Sequence, residues 1–169
     1  MGGKYADRGG KLMKKLLPYI KIALVLGLLI FIIFDLRDDP TSDAKIENVA
    51  KAAFEASGLQ DVEQAANRTV KRFYGLDPQD YAGVVLYAPK DNMDVNEILI
   101  VKLAGTDQAG TVEKAITERL ETQQKSFAGY GAEQTKLLKD HVLQIKGNYI
   151  LYAVGENASK IQAAFLNSL

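Results

Sequence analysis

The sequence of 169 residues contains no cysteine and no tryptophan, and its only histidine is His141. Without cysteine the chain has no lipobox, no palmitoylation site, no disulfide bond and no thiol nucleophile. A metal centre is disfavoured too, because it needs clustered histidine, cysteine or carboxylate ligands at defined spacing. We therefore expect neither a metal site nor a cofactor.

Sequence signatures of catalysis are also missing. The chain has no G-x-S-x-G elbow, no P-loop and no G-x-G-x-x-G motif. Acidic residues do occur near one another, as Asp77 with Asp80 and Asp94 with Glu97, but the separation of their carboxylates cannot be derived from sequence. We predict a non-enzymatic protein, and a carboxylate-dependent hydrolase of the cell envelope is the alternative.

One long apolar stretch dominates the N-terminal part of the chain. Residues 16–34 carry a single charge, Lys21, and the thirteen residues from Ile22 to Phe34 are all apolar except Gly27. As a helix these nineteen residues would extend roughly 28 Å, close to the hydrocarbon thickness of a bilayer. The stretch predicts a transmembrane helix, with residues 1–15 as a basic arm, 35–44 as a linker and 45–169 as a separate domain.

The charges beside this stretch predict its orientation. Five basic residues precede it, whereas Arg37 is the only one among the ten residues that follow. Positive residues resist translocation, so we expect a cytoplasmic N-terminus and an extracytoplasmic C-terminal domain. No small-x-small cleavage site follows directly, which favours an uncleaved signal-anchor. Ala23 and Gly27 could seat a second helix, so a homo-oligomeric scaffold assembled through the span is a further alternative.

The overall charge balance hides a difference between the two parts of the chain. Six of the 21 basic residues but only Asp7 of the 21 acidic residues precede Ile22, which leaves 15 basic and 20 acidic residues after it. An acidic outer domain argues against nucleic acid as a partner, because a nucleic-acid surface needs a basic face.

Hydrophobic periodicity predicts an α+β domain after the linker. Two amphipathic helices are followed twice by two strands and a helix, in the order αα-ββα-ββα. The expected result is a mostly antiparallel four-stranded sheet with helices packed on one face. The predicted helices cover 46–57, 61–74, 107–127 and 157–166, a further helical turn or two is open at 132–140, and the predicted strands cover 81–88, 96–103, 141–146 and 149–155.

Several short motifs give the outer domain a recognisable order. They are Phe73-Tyr74-Gly75-Leu76-Asp77, 96–102, Arg119 with 123–127, Gly129-Tyr130-Gly131 and Gly147-Asn148-Tyr149. In this order the chain resembles a domain of unknown function that is common in clostridial-type Gram-positive bacteria, where lipoproteins or single-pass anchors carry it. The resemblance covers roughly residues 62–169. It implies an envelope location and adds no chemistry, because the family has no assigned activity.

Candidate contact residues come from the charged and aromatic side chains of this domain. Glu97 and Lys102 should point to opposite faces of their strand, and Arg119 lies beside the apolar stripe of its helix, where it could meet one of them. Tyrosine is frequent, with eight copies, and its amphipathic ring suits recognition surfaces as well as sheet packing. We select Arg119, Tyr130 and Tyr149 as possible partner contacts.

Together these features predict a membrane-anchored, extracytoplasmic binding or assembly module of the bacterial cell envelope. Its expected partners are the lipid bilayer and a protein or cell-wall polymer of the envelope.

Overall fold

The structure is a computed structural model that describes residues 17–28, 40–60, 62–89 and 91–169. The chain divides into two compact units, Met1–Asp38 and Asp39–Leu169. In the first unit residues 17–28 are helical and all of them are exposed. The basic arm, Leu16, the rest of the predicted span at 29–34 and the linker residues 35–39 lie outside the described residues. Within the described part of the chain, no helix has both the length and the apolar character needed to cross a bilayer.

The second unit contains five α-helices, four strands and two short 3-10 helices among the described residues. The helices are α1 (Ile46–Ser57), α2 (Asn67–Tyr74), α3 (Ala109–Phe127), α4 (Ala132–Lys139) and α5 (Ala158–Asn167). The strands are β1 (Gly83–Tyr87), β2 (Glu97–Lys102), β3 (Val142–Lys146) and β4 (Tyr149–Val154). The 3-10 helices are Pro78–Asp80 and Thr106–Gln108.

The four strands form one antiparallel sheet in the order β1-β2-β4-β3. Two hairpins therefore join through β2 and β4, with Glu97 opposite Val154 and Lys102 opposite Tyr149. The β3–β4 hairpin turns at Gly147-Asn148, where Gly147 has a φ of 55° that favours glycine. These observations confirm the predicted α+β class and antiparallel sheet.

The helices cover both faces of the sheet, so the prediction of helices on one face is wrong. Helices α1 and α5 pack on the face that carries Ile98, Ile100 and Tyr149. Helices α2, α3 and α4 pack on the other face, which carries Leu99, Val101 and Tyr152. The reason is that every residue of β4 and all but the last of β2 are buried, and a strand that is apolar on both faces must be covered on both.

Two segments before the sheet differ from the predictions. The predicted helix at 61–74 begins only at Asn67, because the segment before it runs alongside β1: Gln64 bridges Tyr87, and the Ala65 N–H donates to the Leu86 carbonyl. The described linker residues 40–44 contact the domain closely. Ser42 and Asn148 exchange two hydrogen bonds of 2.8 and 3.2 Å, and the Ser42 hydroxyl donates to the Leu169 carbonyl.

Candidate functional site

A buried carboxylate lies at the start of β2. Strand alternation directs the Glu97 side chain to the same face as Leu99 and Val101, beneath α2 and α3, and Glu97 is fully buried. A buried carboxylate is stable only when it is paired and hydrogen-bonded. Its partners therefore identify the site.

The partners of Glu97 come from the two helices above it. The Arg119 Nη2 donates to Glu97 Oε2 at 2.8 Å and the Arg119 Nε to Oε1 at 3.4 Å, while the Tyr74 hydroxyl donates to Oε1. Gln123, one turn after Arg119 on α3, donates to Oε2 at 3.4 Å and accepts from the Tyr152 hydroxyl at 3.5 Å. We call these five residues the Glu97 network: Tyr74, Glu97, Arg119, Gln123 and Tyr152.

The electrostatics of the Glu97 network favour neutral tyrosines beside an ion pair. Burial raises the pKa of Tyr74 well above its usual value, and the nearby Glu97 charge raises it further. Burial and Glu97 likewise raise the pKa of Tyr152. Burial alone would lower the pKa of Arg119, but its hydrogen bond to Glu97 and the charge of Glu97 outweigh that effect and raise it. Both tyrosines are therefore held as hydrogen-bond donors, and Arg119 stays a cation.

An open cleft lies beside the Glu97 network and exposes one end of it. Its volume is about 440 Å³, which falls in the size range of small-ligand sites. The Arg119 side chain is 15 % exposed, and its guanidinium carbon lies 4.0 Å from the centre of the Phe73 ring. The Arg72 guanidinium lies 4.8 Å from the same ring centre. A smaller cavity of about 300 Å³ adjoins the cleft and shares with it Arg72, Phe73, Arg119 and Thr122.

Comparison with protein-family models finds a match over most of the domain. Residues 55–155 match the model of a family described as a domain of unknown function, DUF4358. The chain belongs to this family. The match contains all four strands of the DUF4358 domain and every member of the Glu97 network, and it confirms the predicted membership of a domain-of-unknown-function family. No curated protein and no solved structure matches the chain significantly.

The three predicted contact residues occupy different parts of the DUF4358 domain. Arg119 reaches Glu97, one of the two residues that its position beside the apolar stripe suggested, and it also lines the cleft. Tyr130 is 66 % exposed and its ring packs 5.8 Å from that of Phe127, which also lines the cleft. Tyr149 is fully buried on the opposite face of the sheet, where its hydroxyl donates to the Ala44 carbonyl at 2.5 Å. This burial makes Tyr149 a core residue and not a surface contact.

Other residues considered from sequence have separate, local partners. Lys102 lies on the face opposite Glu97, as strand alternation predicts, and its Nζ donates to the Ala44 carbonyl at 2.8 Å. Asp77 pairs with Lys71 at 2.5 Å and accepts from the Gln79 N–H, and these contacts lower its pKa. His141 Nδ1 lies 2.8 Å from the Leu138 carbonyl. Over the described ranges, no three histidine, aspartate or glutamate side chains are grouped so as to hold a metal ion.

Sequence reasoning missed five members of the site: Tyr74, Gln123, Tyr152, Phe73 and Arg72. One usable signal was present. Arg119 and Gln123 are four residues apart and share the helix face of Val112, Ile116 and Phe127, so two polar side chains interrupt a buried stripe. A buried acid on the facing strand is the natural partner for such a pair.

Proposed function

We propose that the chain is a membrane-anchored, extracytoplasmic binding module of the bacterial cell envelope, and that the cleft at Arg119 is its binding site. The observation that carries the proposal is the convergence of two guanidinium groups on one phenylalanine ring at the wall of an open cleft. One of them is fixed by a buried carboxylate. Arginines held in this way recognise anionic groups with defined geometry and little loss of entropy on binding.

The arrangement of the carboxylates favours binding over catalysis. A general acid or base must reach its substrate, and its pKa must suit proton transfer near neutral pH. Glu97 is fully buried and accepts bonds from Tyr74, Arg119 and Gln123. Asp77 is paired with Lys71 and caps the first 3-10 helix. Two of the four candidate carboxylates of the hydrolase alternative, Asp77 and Glu97, are thus occupied by contacts within the domain.

The proposed membrane anchor rests on the sequence and on the exposure of its described part. Eight large apolar side chains within residues 17–28 are at least half exposed: Leu17, Tyr19, Ile20, Ile22, Leu24, Val25, Leu26 and Leu28. A helix that is apolar all round needs an apolar environment, and a bilayer supplies one. The basic residues before it favour a cytoplasmic N-terminus.

Site-specific crosslinking tests the binding role. The full chain is expressed in bacterial cells with a photoreactive residue in place of Thr122, which is exposed and lines the cleft. The matched control carries the same residue in place of Lys160, which is exposed on α5, a helix of the opposite face. We expect a discrete crosslinked adduct with an envelope component from position 122 and none from position 160. Equal adducts from both positions, or none from either, would contradict the proposal.

The absence of cysteine makes the topology simple to test. Ser159→Cys places a single thiol at an exposed position of the DUF4358 domain, and Lys11→Cys places one in the basic arm. A membrane-impermeant maleimide should label Ser159→Cys in intact cells and Lys11→Cys only after lysis. The reverse pattern would invert the topology and remove the extracytoplasmic assignment.

A further inference from the structure

The guanidinium of Arg119 has one donor nitrogen that is not hydrogen-bonded to any described residue. Only its Nε and Nη2 atoms contact Glu97. Every fully buried side-chain nitrogen or oxygen of the described residues has a hydrogen-bond partner, whereas Nη1 of Arg119 forms no hydrogen bond with them. Nη1 is therefore accessible, and Arg119 lines both the cleft and the smaller cavity that adjoins it.

Arg72 adds a second positive charge at the same place. It is exposed, its guanidinium lies over the Phe73 ring, and it forms no ion pair with any residue that the structure describes. Since Glu97 balances the charge of Arg119, the charge of Arg72 remains uncompensated at this wall. A carboxylate in the cleft could accept hydrogen bonds from both arginines.

The lining of the cleft also carries negative charge. Asp91 and Asp94 line the cleft from the loop after Pro89. Asp91 Oδ1 accepts the N–H groups of Met93 and Asp94, and Asp94 Oδ1 accepts from Asn96. These bonds fix the loop and leave each Oδ2 free of hydrogen bonds within the described structure. An ammonium group would be the matching ligand group here, whereas a polyphosphate chain would bring its charges against both aspartates.

We infer that the cleft binds a short peptide that carries both a carboxylate and an ammonium group. The carboxylate contacts Arg72 and Arg119, the ammonium contacts Asp91 and Asp94, and aliphatic parts of the peptide pack on Phe73, Pro89 and Phe127. This inference rests on the proposed binding function and names its ligand class.

Calorimetric titration of the full chain in detergent micelles tests the ligand class. The probe is N-acetyl-Ala-Lys-Ala, which has one ammonium and one carboxylate. Its C-terminal amide lacks the carboxylate, N-acetyl-Ala-norleucine-Ala lacks the ammonium, and inorganic phosphate is the anionic comparison. We expect the first peptide to bind, and loss of either charge to weaken binding roughly tenfold.

Matched variants locate the binding site. Arg72→Gln and Asp91→Asn should each weaken the first peptide roughly tenfold, because each removes one charged partner. Arg68→Gln is the control, since Arg68 is exposed one turn earlier on the same helix. It should leave the affinity unchanged.

An equal effect of Arg68→Gln and Arg72→Gln, tighter binding of phosphate, or no binding of the peptide would overturn the ligand class. The crosslink from position 122 would still report whether the cleft binds anything, so the two proposals fail separately.

Discussion

The two faces of the sheet are buried by different chemistry, although the same strands supply both. On the α1/α5 face, the buried side chains of β2 and β4 are Ile98, Ile100, Tyr149, Leu151 and Ala153. On the α2/α3 face, the same strands place Glu97 and Tyr152 among apolar residues. Tyr149 donates to a backbone carbonyl, whereas Tyr152 joins a network of charged and amide groups.

This difference indicates that the Glu97 network is not required to cover the sheet. The α1/α5 face shows that this sheet can be covered without a buried charge. A buried ion pair contributes little net stability relative to apolar residues of the same volume, because both groups lose their hydration. The Glu97 network is therefore better explained by what it positions, namely the Arg119 guanidinium at the cleft.

The largest expected effect comes from breaking the ion pair on one side. Glu97→Ala leaves Arg119 and Tyr74 without their acceptor in the core, and we expect the free energy of unfolding to fall by about 3–5 kcal/mol. Urea unfolding followed by circular dichroism measures it. The double variant Glu97→Leu with Arg119→Met should recover most of this loss while abolishing peptide binding. If the double variant is as unstable as the single one, the Glu97 network is needed for folding. The conclusion that it serves the cleft and not the stability of the sheet would then be wrong.

Two tyrosine variants compare the faces directly. Tyr74→Phe removes a donor to a buried carboxylate and should lower the free energy of unfolding by about 1.5–3 kcal/mol. Tyr149→Phe removes a donor to the Ala44 carbonyl, which keeps its bond from Lys102, so we expect about 0.5–1.5 kcal/mol. The same urea titration measures both. A larger effect from Tyr149→Phe would show that the hydrogen bond to the Ala44 carbonyl contributes more to stability than the bond from Tyr74 to Glu97.

Alkaline pH should weaken both faces. The pKa values of Tyr74 and Tyr152 are raised by burial and then by Glu97, and burial followed by the charge of Glu47 raises the pKa of Tyr149 to about 12. A raised folded-state pKa means that the stabilisation is fully present below the unfolded pKa of about 10 and is lost as pH rises through the folded value. Each such tyrosine makes the free energy of unfolding fall by at most about 1.4 kcal/mol more per pH unit.

Unfolding free energies measured between pH 8 and pH 11 check this expectation. Stability should be level up to about pH 9 and fall above pH 10. Tyr74→Phe should make the fall shallower, because it removes one of the groups that must ionise. A fall of the same steepness in Tyr74→Phe and in the unchanged chain would mean that Tyr74 does not contribute to it.

Local sequence patterns were sufficient for the elements and insufficient for their arrangement. The ends of the predicted helices at 57 and 74, and the two-residue connection between the strands at 141–146 and 149–155, appear where predicted, because each depends on neighbouring residues. The sequence of β1 is apolar on both faces, yet helices on both faces of the sheet were not predicted. The number of helices on each face depends on the order of the hairpins. Pairing of β2 with β4 is a long-range contact that no local pattern encodes.

The candidate site divides in the same way. Strand alternation correctly separated Glu97 from Lys102, and the helical stripe correctly brought Arg119 near a buried partner. Tyr74 and Tyr152 could not be assigned, because whether a tyrosine joins a network or packs in the core depends on what faces it across the sheet. Tyr149 and Tyr152 are three residues apart on one strand and have opposite surroundings.

The smallest expected effect tests whether burial, and not charge alone, distinguishes the Glu97 pair. Helix α3 also carries the pair Glu121–Lys125 at 3.4 Å, with side chains 58 % and 79 % exposed, at a spacing of four residues. Glu121→Gln should lower the free energy of unfolding by only about 0.3–0.5 kcal/mol, and salt should reduce the effect further. Arg119→Met, two residues away, leaves Glu97 buried without its cation and should cost several-fold more. Equal effects of the two variants would show that Glu97 is as well hydrated as the helix surface. The ion pair with Glu97 would then fix Arg119 no more firmly than an exposed pair does.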